Sequence, residues 1–286
     1  MYLTKRAKII LLILSVAFAS LYFYVNRADF LPKPKAIAHI GIVSLSPSAT
    51  EILAALNAQD VMGVSNDAEY PEKTRRIKRM GTNLSPDVNE IITAVPEVLF
   101  VDPSAPSAAT DVVAKSGVRV IIVPKPQRAE DIYFNINFIA SNIGKNSSEL
   151  TKELKTLAGA REFPKTKVFI ALDNSLKTIG YLNFVNDVLA YAGLRNIFGN
   201  IGEDTMQVSW ESVAALNPDI IISIGANAID FSAFPNAENV NAVKNHKVYS
   251  LTDIAVLSSP SPRTLKTIAY LKGLASDIEK QNSLPS

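Results

Sequence analysis

Short apolar runs spaced between helix-patterned stretches constrain this chain more than any other feature. The runs fall at residues 37–45, 61–65, 98–101, 118–123, 168–172, 220–224 and 248–251. All are brief and rich in Val and Ile, the signature of strands buried on both faces. Helical patterns lie between them: Ile52, Leu53 and Leu56 after a Ser48/Glu51 capping box, a start at Ser85-Pro86, and stretches at 108–115, 184–192, 210–216 and 263–278. Strands alternating with helices imply parallel sheets covered by helices, an α/β fold. Residues 129–158 carry one long helical signal on Ile132, Ile136, Ile139 and Ile143, with Gly144 as a point of interruption. Two α/β lobes joined by one long rigid helix account for this order better than the alternative, a single doubly wound sheet. The expected boundaries are a segment and linker at 1–35, a first lobe at 36–128, a connecting region at 129–164 and a second lobe at 165–286.

The N-terminus adds an address. Lys5, Arg6 and Lys8 precede an almost wholly apolar run of 17 residues, 9–25, which as a helix spans roughly 26 Å, the short limit for crossing a bilayer. The basic flank stays in the cytoplasm, so the lobes are expected outside it, anchored to the cytoplasmic membrane. Ala17-Phe18-Ala19 offers the rival reading, a cleaved signal peptide and a periplasmic product. A buried core helix is the third reading.

Charge and chemistry exclude several classes. Residues 1–35 hold six basic groups and one acidic group, so the remaining chain carries 23 basic and 26 acidic groups, a net charge near −3. It has no basic surplus for a nucleic-acid backbone. The cluster Lys73, Arg75, Arg76, Lys78 and Arg79 reads as a solvated helix face. Cysteine is absent, which removes disulfides, thiol nucleophiles and thiolate metal sites. His39 and His246 lie far apart and read as surface or strand-end residues. Dinucleotide, P-loop, zinc-protease and serine-hydrolase motifs are missing. Neither a resident cofactor nor a protein-held metal is expected.

Polar residues do follow several strands: Asp67 and Glu69, Asp102, Asp173 and Asn174, Asn227, and Asp253. The carboxyl ends of strands in an open sheet are where a ligand crevice forms, though solvated loops and caps would use the same residue types. Arg263 could meet an anionic group with its rigid donor fork, or serve the final helix. The two halves also echo each other. Residues 89–97 and 210–219 both run helix, proline, carboxylate, then a buried strand at 98 and at 220.

The pieces Ser44-Leu45-Ser46-Pro47-Ser48-Ala49-Thr50-Glu51, Gly63-Val64-Ser65 with Tyr70-Pro71, Val208-Ser209-Trp210-Glu211 with Asn217-Pro218-Asp219, and Ser261-Pro262-Arg263 give a closer match. Their order and spacing over roughly residues 40–278 resemble the cobalamin and iron-chelate binding proteins of bacterial ABC importers. The resemblance implies two Rossmann-like lobes on a backbone helix and an extracytoplasmic monomer. It also implies delivery of a metal-containing chelate to a permease, the cobalt or iron arriving with the ligand. Tyr70 then joins the ligand-binding set. The positions where cobalamin binders place aromatic side chains are occupied here by Asp67, Leu84, Asp102 and Thr205, which implies weaker stacking and a more acidic crevice. A glutamate on each lobe commonly docks on permease arginines in that family. Glu211, seven residues before Pro218, fits this role, whereas the position seven before Pro96 is Asn89, with Glu90 one later. Two other classes stay open: a membrane-anchored sensor or adhesion module, and an enzyme using the strand-end carboxylates.

Overall fold

The computed structural model describes residues 41–224, 229–251 and 260–282. Strand β1 (Ile42–Ser44) leads into helix α1 (Pro47–Ala55) and strand β2 (Val61–Val64). Helix α2 (Val88–Ala94), strand β3 (Val98–Val101), helix α3 (Ser107–Lys115) and strand β4 (Arg119–Ile122) follow. The four strands form one parallel sheet in the order β2-β1-β3-β4. Successive side chains leave opposite faces. Ile42, Val98 and Phe100 therefore meet α1 on one side, while Val43, Leu45, Leu99 and Val101 meet Met80, Ile91 and Val113 on the other. That two-sided burial is why these runs read as unbroken apolar stretches. Gly63 in β2 lies so close to the Met80 thioether that an added Cβ would overlap it.

The long helical signal resolves into two helices, α4 (Asp131–Asn142) and α5 (Ser148–Ala158). The single connecting helix expected over 129–158 is thus corrected. Gly144 takes φ +65° just past the end of α4, a conformation that ends a helix cheaply only at glycine or asparagine. Ser147 Oγ then donates to Asn137 Oδ1 at 2.7 Å and folds the chain back. The isoleucines of α4 were read correctly: Ile132, Ile136 and Ile139 are fully buried, each stabilising by about 1.5–3 kcal/mol relative to exposure.

The second lobe opens with β5 (Thr166–Ala171), β6 (Lys177–Ile179), α6 (Phe184–Tyr191), β7 (Leu194–Asn196) and β8 (Thr205–Gln207). It closes with α7 (Trp210–Leu216), β9 (Ile220–Ile224), α8 (Asn241–Lys244), β10 (Val248–Leu251) and α9 (Pro262–Asn282). Its parallel sheet runs β10-β9-β5-β7, and β6 pairs with β8 in a separate antiparallel ribbon. Helix α9 packs along α5 and α6 and reaches α1 of the first lobe. One buried cluster runs from Ile42, Ile52 and Phe100 through α4 to Val168, Ile170 and Ile220. Among the described residues no helix is long and apolar enough to cross a membrane. The anchor expected at 9–25 lies outside them.

The echo between the halves has a structural counterpart. Both α2 and α7 are seven residues long, are capped by a side chain (Asp87, Ser209), and end on a left-handed residue, Val95 at φ 50° and Asn217 at φ 46°. Proline, a carboxylate and a central strand follow each.

Candidate ligand-binding cleft

The first-lobe strands are short and end in prolines and small polar residues, so their carboxyl ends open into a shared space. A cleft of about 950 Å³ lies there. After β1 it is walled by Pro47, Ser48 and Glu51, after β2 by Asp67–Tyr70 and Arg75, after β3 by Asp102, Pro103 and Ser104, and after β4 by Pro124, Lys125 and Pro126. Phe184 at the start of α6, with Pro260 and Arg263 at the start of α9, completes the wall from the second lobe. This is the crevice position that open parallel sheets provide.

Several polar groups of the wall are held by hydrogen bonds to neighbouring loops. Asn83 is buried. It accepts from the Asp102 backbone N–H at 2.7 Å and donates to Ser104 Oγ at 3.0 Å, fixing the turn after β3. Burial pushes the Asp102 carboxyl above its usual range; a hydrogen bond from Ser46 opposes that rise and the nearby Asp67 charge adds to it. Asp67 accepts a short hydrogen bond from Ser65 Oγ. Arg79 donates to the carbonyls of Ser65 at 2.6 Å and Ala68 at 2.9 Å, bracing the loop that carries Asp67. The basic cluster is therefore no uniform solvated helix face. Glu72–Arg76 form a short 3-10 turn, Arg75 lines the cleft, Lys73 donates to the Ala54 carbonyl at 3.2 Å and Lys78 pairs with Glu90.

Glu51 was read as half of a capping box, and that reading is corrected. The cap is Ser46, whose Oγ accepts from Ala49 N at 3.3 Å. Glu51 instead turns inward, and Arg263 donates to both its oxygens, Nε to Oε2 at 2.9 Å and Nη2 to Oε1 at 2.5 Å. The same guanidinium lies over the Tyr70 ring, 4.1 Å from its centroid.

Of the expected ligand-binding residues, Asp67, Glu69, Tyr70, Asp102 and Arg263 come together in the cleft wall. Leu84, Asp173, Asn174 and Thr205 do not line it. Leu84 is 67% exposed, and Thr205 opens β8 opposite Ile179. Asp173 shapes its own turn: Oδ1 accepts from Ser175 Oγ at 2.6 Å, Ser175 N at 2.9 Å and Lys177 N at 3.1 Å, bonds that lower its pKa. Asn227 and Asp253 lie outside the described residues, as does His39, and His246 is an exposed turn residue before β10. Sequence reading missed Glu51, Arg75, Lys125 and Phe184. Only Phe184 had a usable signal, an aromatic residue opening a helix after a strand.

Among the docking candidates, Asn89 and Glu211 occupy the same helical position in α2 and α7, and both are exposed. The first-lobe helix is not shifted, so its counterpart of Glu211 is an amide. The Glu211 carboxyl is held below its usual range by its own backbone N–H and by Ser209. Among the described residues, no three His, Cys, Asp or Glu side chains are grouped to hold a metal ion.

A two-lobed α/β chain with a cleft at its strand ends is the architecture of a solute-binding protein. Residues 42–255 match the family model described as periplasmic binding protein, and the chain belongs to that family. It is 27% identical over 252 residues to a vitamin B12-binding protein of Vibrio vulnificus (strain CMCP6), covering 84% of this chain and 91% of that one. The solved structure of a possible iron-binding, periplasmic solute-binding protein from Staphylococcus epidermidis ATCC 12228 superposes with TM-score 0.68 at 29% identity, over 83% of this chain and 97% of that one. The periplasmic heme-binding protein of Vibrio cholerae shares the fold at TM-score 0.71 and 18% identity, over 83% and 99% of the two chains.

Proposed function

We propose that the protein binds a metal-containing chelate of the corrinoid, haem or ferric siderophore class outside the cytoplasm. It passes the chelate unaltered to an ABC importer. The observation that carries this reading is the cleft itself. At about 950 Å³ it has the volume of a large small-molecule site. Five prolines with Tyr70 and Phe184 make most of its open surface apolar, beside seven charged side chains, two of which, Glu51 and Arg263, pair with each other. Such a surface supports holding a bulky, largely apolar body, and Asp67, Glu69 and Asp102 can accept from amide or hydroxyl groups on its periphery. The vitamin B12-, heme- and iron-binding relatives support the same class.

In this reading residues 9–25 tether the lobes, bounded at 36–128 and 165–286, to the membrane. Glu211 is the docking carboxylate toward a permease arginine, with Asn89 offering a neutral contact and Glu90 held by Lys78. Calorimetric titration with cobalamin, cobinamide, haem and several ferric siderophores tests the ligand class. Saturable binding of one of them is expected, and binding of none would overturn it.

A further inference from the structure

An arginine in the first turn of a helix sits at the positive end of the helix dipole, where a cation is disfavoured. Arg263 nevertheless occupies that place in α9, with only 15% of its side chain exposed. Two contacts from the first lobe favour it there. Glu51 in the first lobe, 4% exposed at its side chain, accepts from Nε and Nη2. Tyr70, also in the first lobe, offers the face of its ring 4.1 Å away. Glu51, Arg263 and Tyr70 all line the cleft, and Tyr70 remains 43% exposed. The backbone beneath Tyr70 is separately held: Thr74 Oγ1 donates to the carbonyls of Ala68 at 3.0 Å and Pro71 at 2.8 Å. The loop is thus braced by its own bonds, and the ring is braced by a side chain from the other lobe.

Only a planar guanidinium can make the two contacts together. Its edge takes both carboxylate oxygens while its central carbon lies over the ring; an ammonium would keep the charge and lose both geometries. We infer that Arg263, clamped by Glu51, is a positioning residue that fixes the Tyr70 ring as a flat wall of the cleft, favouring a chelate with a broad macrocyclic face over a compact ferric hydroxamate. The preference for a macrocycle rests on the chelate-binding reading; the positioning of Tyr70 stands apart from it.

The test uses full-length protein labelled with 3-fluorotyrosine, the Tyr70 resonance being assigned by its loss in Tyr70→Phe. In Arg263→Lys that resonance is expected to move while those of the other tyrosines stay, and Glu51→Gln, nearly isosteric, should shift it in the same sense. Titration with cobinamide and haem should then show an affinity loss of about fivefold to tenfold in Arg263→Lys, between what an exposed and a fully desolvated cation–π contact supply. The double variant Arg263→Lys/Tyr70→Ala should lose no more than Tyr70→Ala alone, because coupled residues are not additive. Affinity for a ferric trihydroxamate should stay unchanged. A Tyr70 resonance unmoved in both Arg263→Lys and Glu51→Gln overturns the positioning role, with or without a ligand. Additive affinity losses overturn the coupling. A parent protein that binds no chelate defeats the functional reading alone, since the resonance still decides the rest.

Discussion

Replacing Glu51 by alanine should damage the protein more than its place in a turn of helix suggests. The change removes the two Glu51 oxygens that accept from Arg263, at 2.9 and 2.5 Å, and takes that counter-charge from a guanidinium whose side chain is 15% exposed. Breaking one side of a buried ion pair costs about 3–5 kcal/mol, chiefly because the other charge stays desolvated. Here the pair borders an open cleft that water can enter, so the cost falls just below that range, about 2–3 kcal/mol. For a unit of this size that is a fall in Tm of about 4–12 °C. Urea denaturation followed by circular dichroism, with calorimetry for Tm, measures it. Replacing both residues with apolar ones, Glu51→Leu with Arg263→Met, should recover part of the loss, because the guanidinium is then no longer left buried without the Glu51 carboxylate. A Glu51→Ala protein within about 1 kcal/mol of the parent would refute the reasoning, since that is what an exposed surface pair contributes.

Three further outcomes follow from particular residues. Val95 holds φ 50° where its counterpart Asn217 holds φ 46°; a β-branched residue is strained there, so Val95→Asn should stabilise by about 1 kcal/mol in denaturation, and a loss of stability would contradict the strain. Asp102 has a raised pKa, chiefly from burial, so the folded state binds the extra proton. Its stability cost is absent below the ordinary carboxylate range, grows as pH rises through the raised value, and is constant above it. Asp102→Asn should therefore be more stable than the parent at neutral pH, with the gap closing in acid; denaturation across pH 3 to 8 showing no such gap would sink the assignment. Glu211→Ala should leave chelate affinity unchanged and weaken association with the permease, measured side by side; equal behaviour in both assays rejects its docking role.

Strands buried on both faces were legible because their apolar runs need no partner to be recognised, and α4 because its isoleucines repeat at helical spacing. The ribbon of β6 and β8 was not. Lys177-Thr178-Ile179 and Thr205-Met206-Gln207 are short and mixed, and only pairing across the fold makes them strands. The same limit governs the site. Asp102 and Asp173 both follow a strand, yet one turns into the cleft and the other closes a tight turn into β6, which local pattern does not separate. Glu51 fits a capping pattern as well as Ser46 does, and its true partner lies 212 residues away. Polar residues after the first-lobe strands marked the place of the cleft, and Arg263 was named with them, while the entry of Phe184 from the second lobe depended on packing.

The central claim is that a chelate sits in this cleft, and Phe184 allows the most direct measurement. It closes the wall from the second lobe and is absent from the ion pairs, so truncating it should trim ligand contact while leaving the lobes joined. Titrating whichever chelate the parent binds into the parent and into Phe184→Ala should give one site per chain in both. The variant should bind about tenfold more weakly, the effect of losing one aromatic contact. Equal affinities would place the ligand elsewhere and contradict the account.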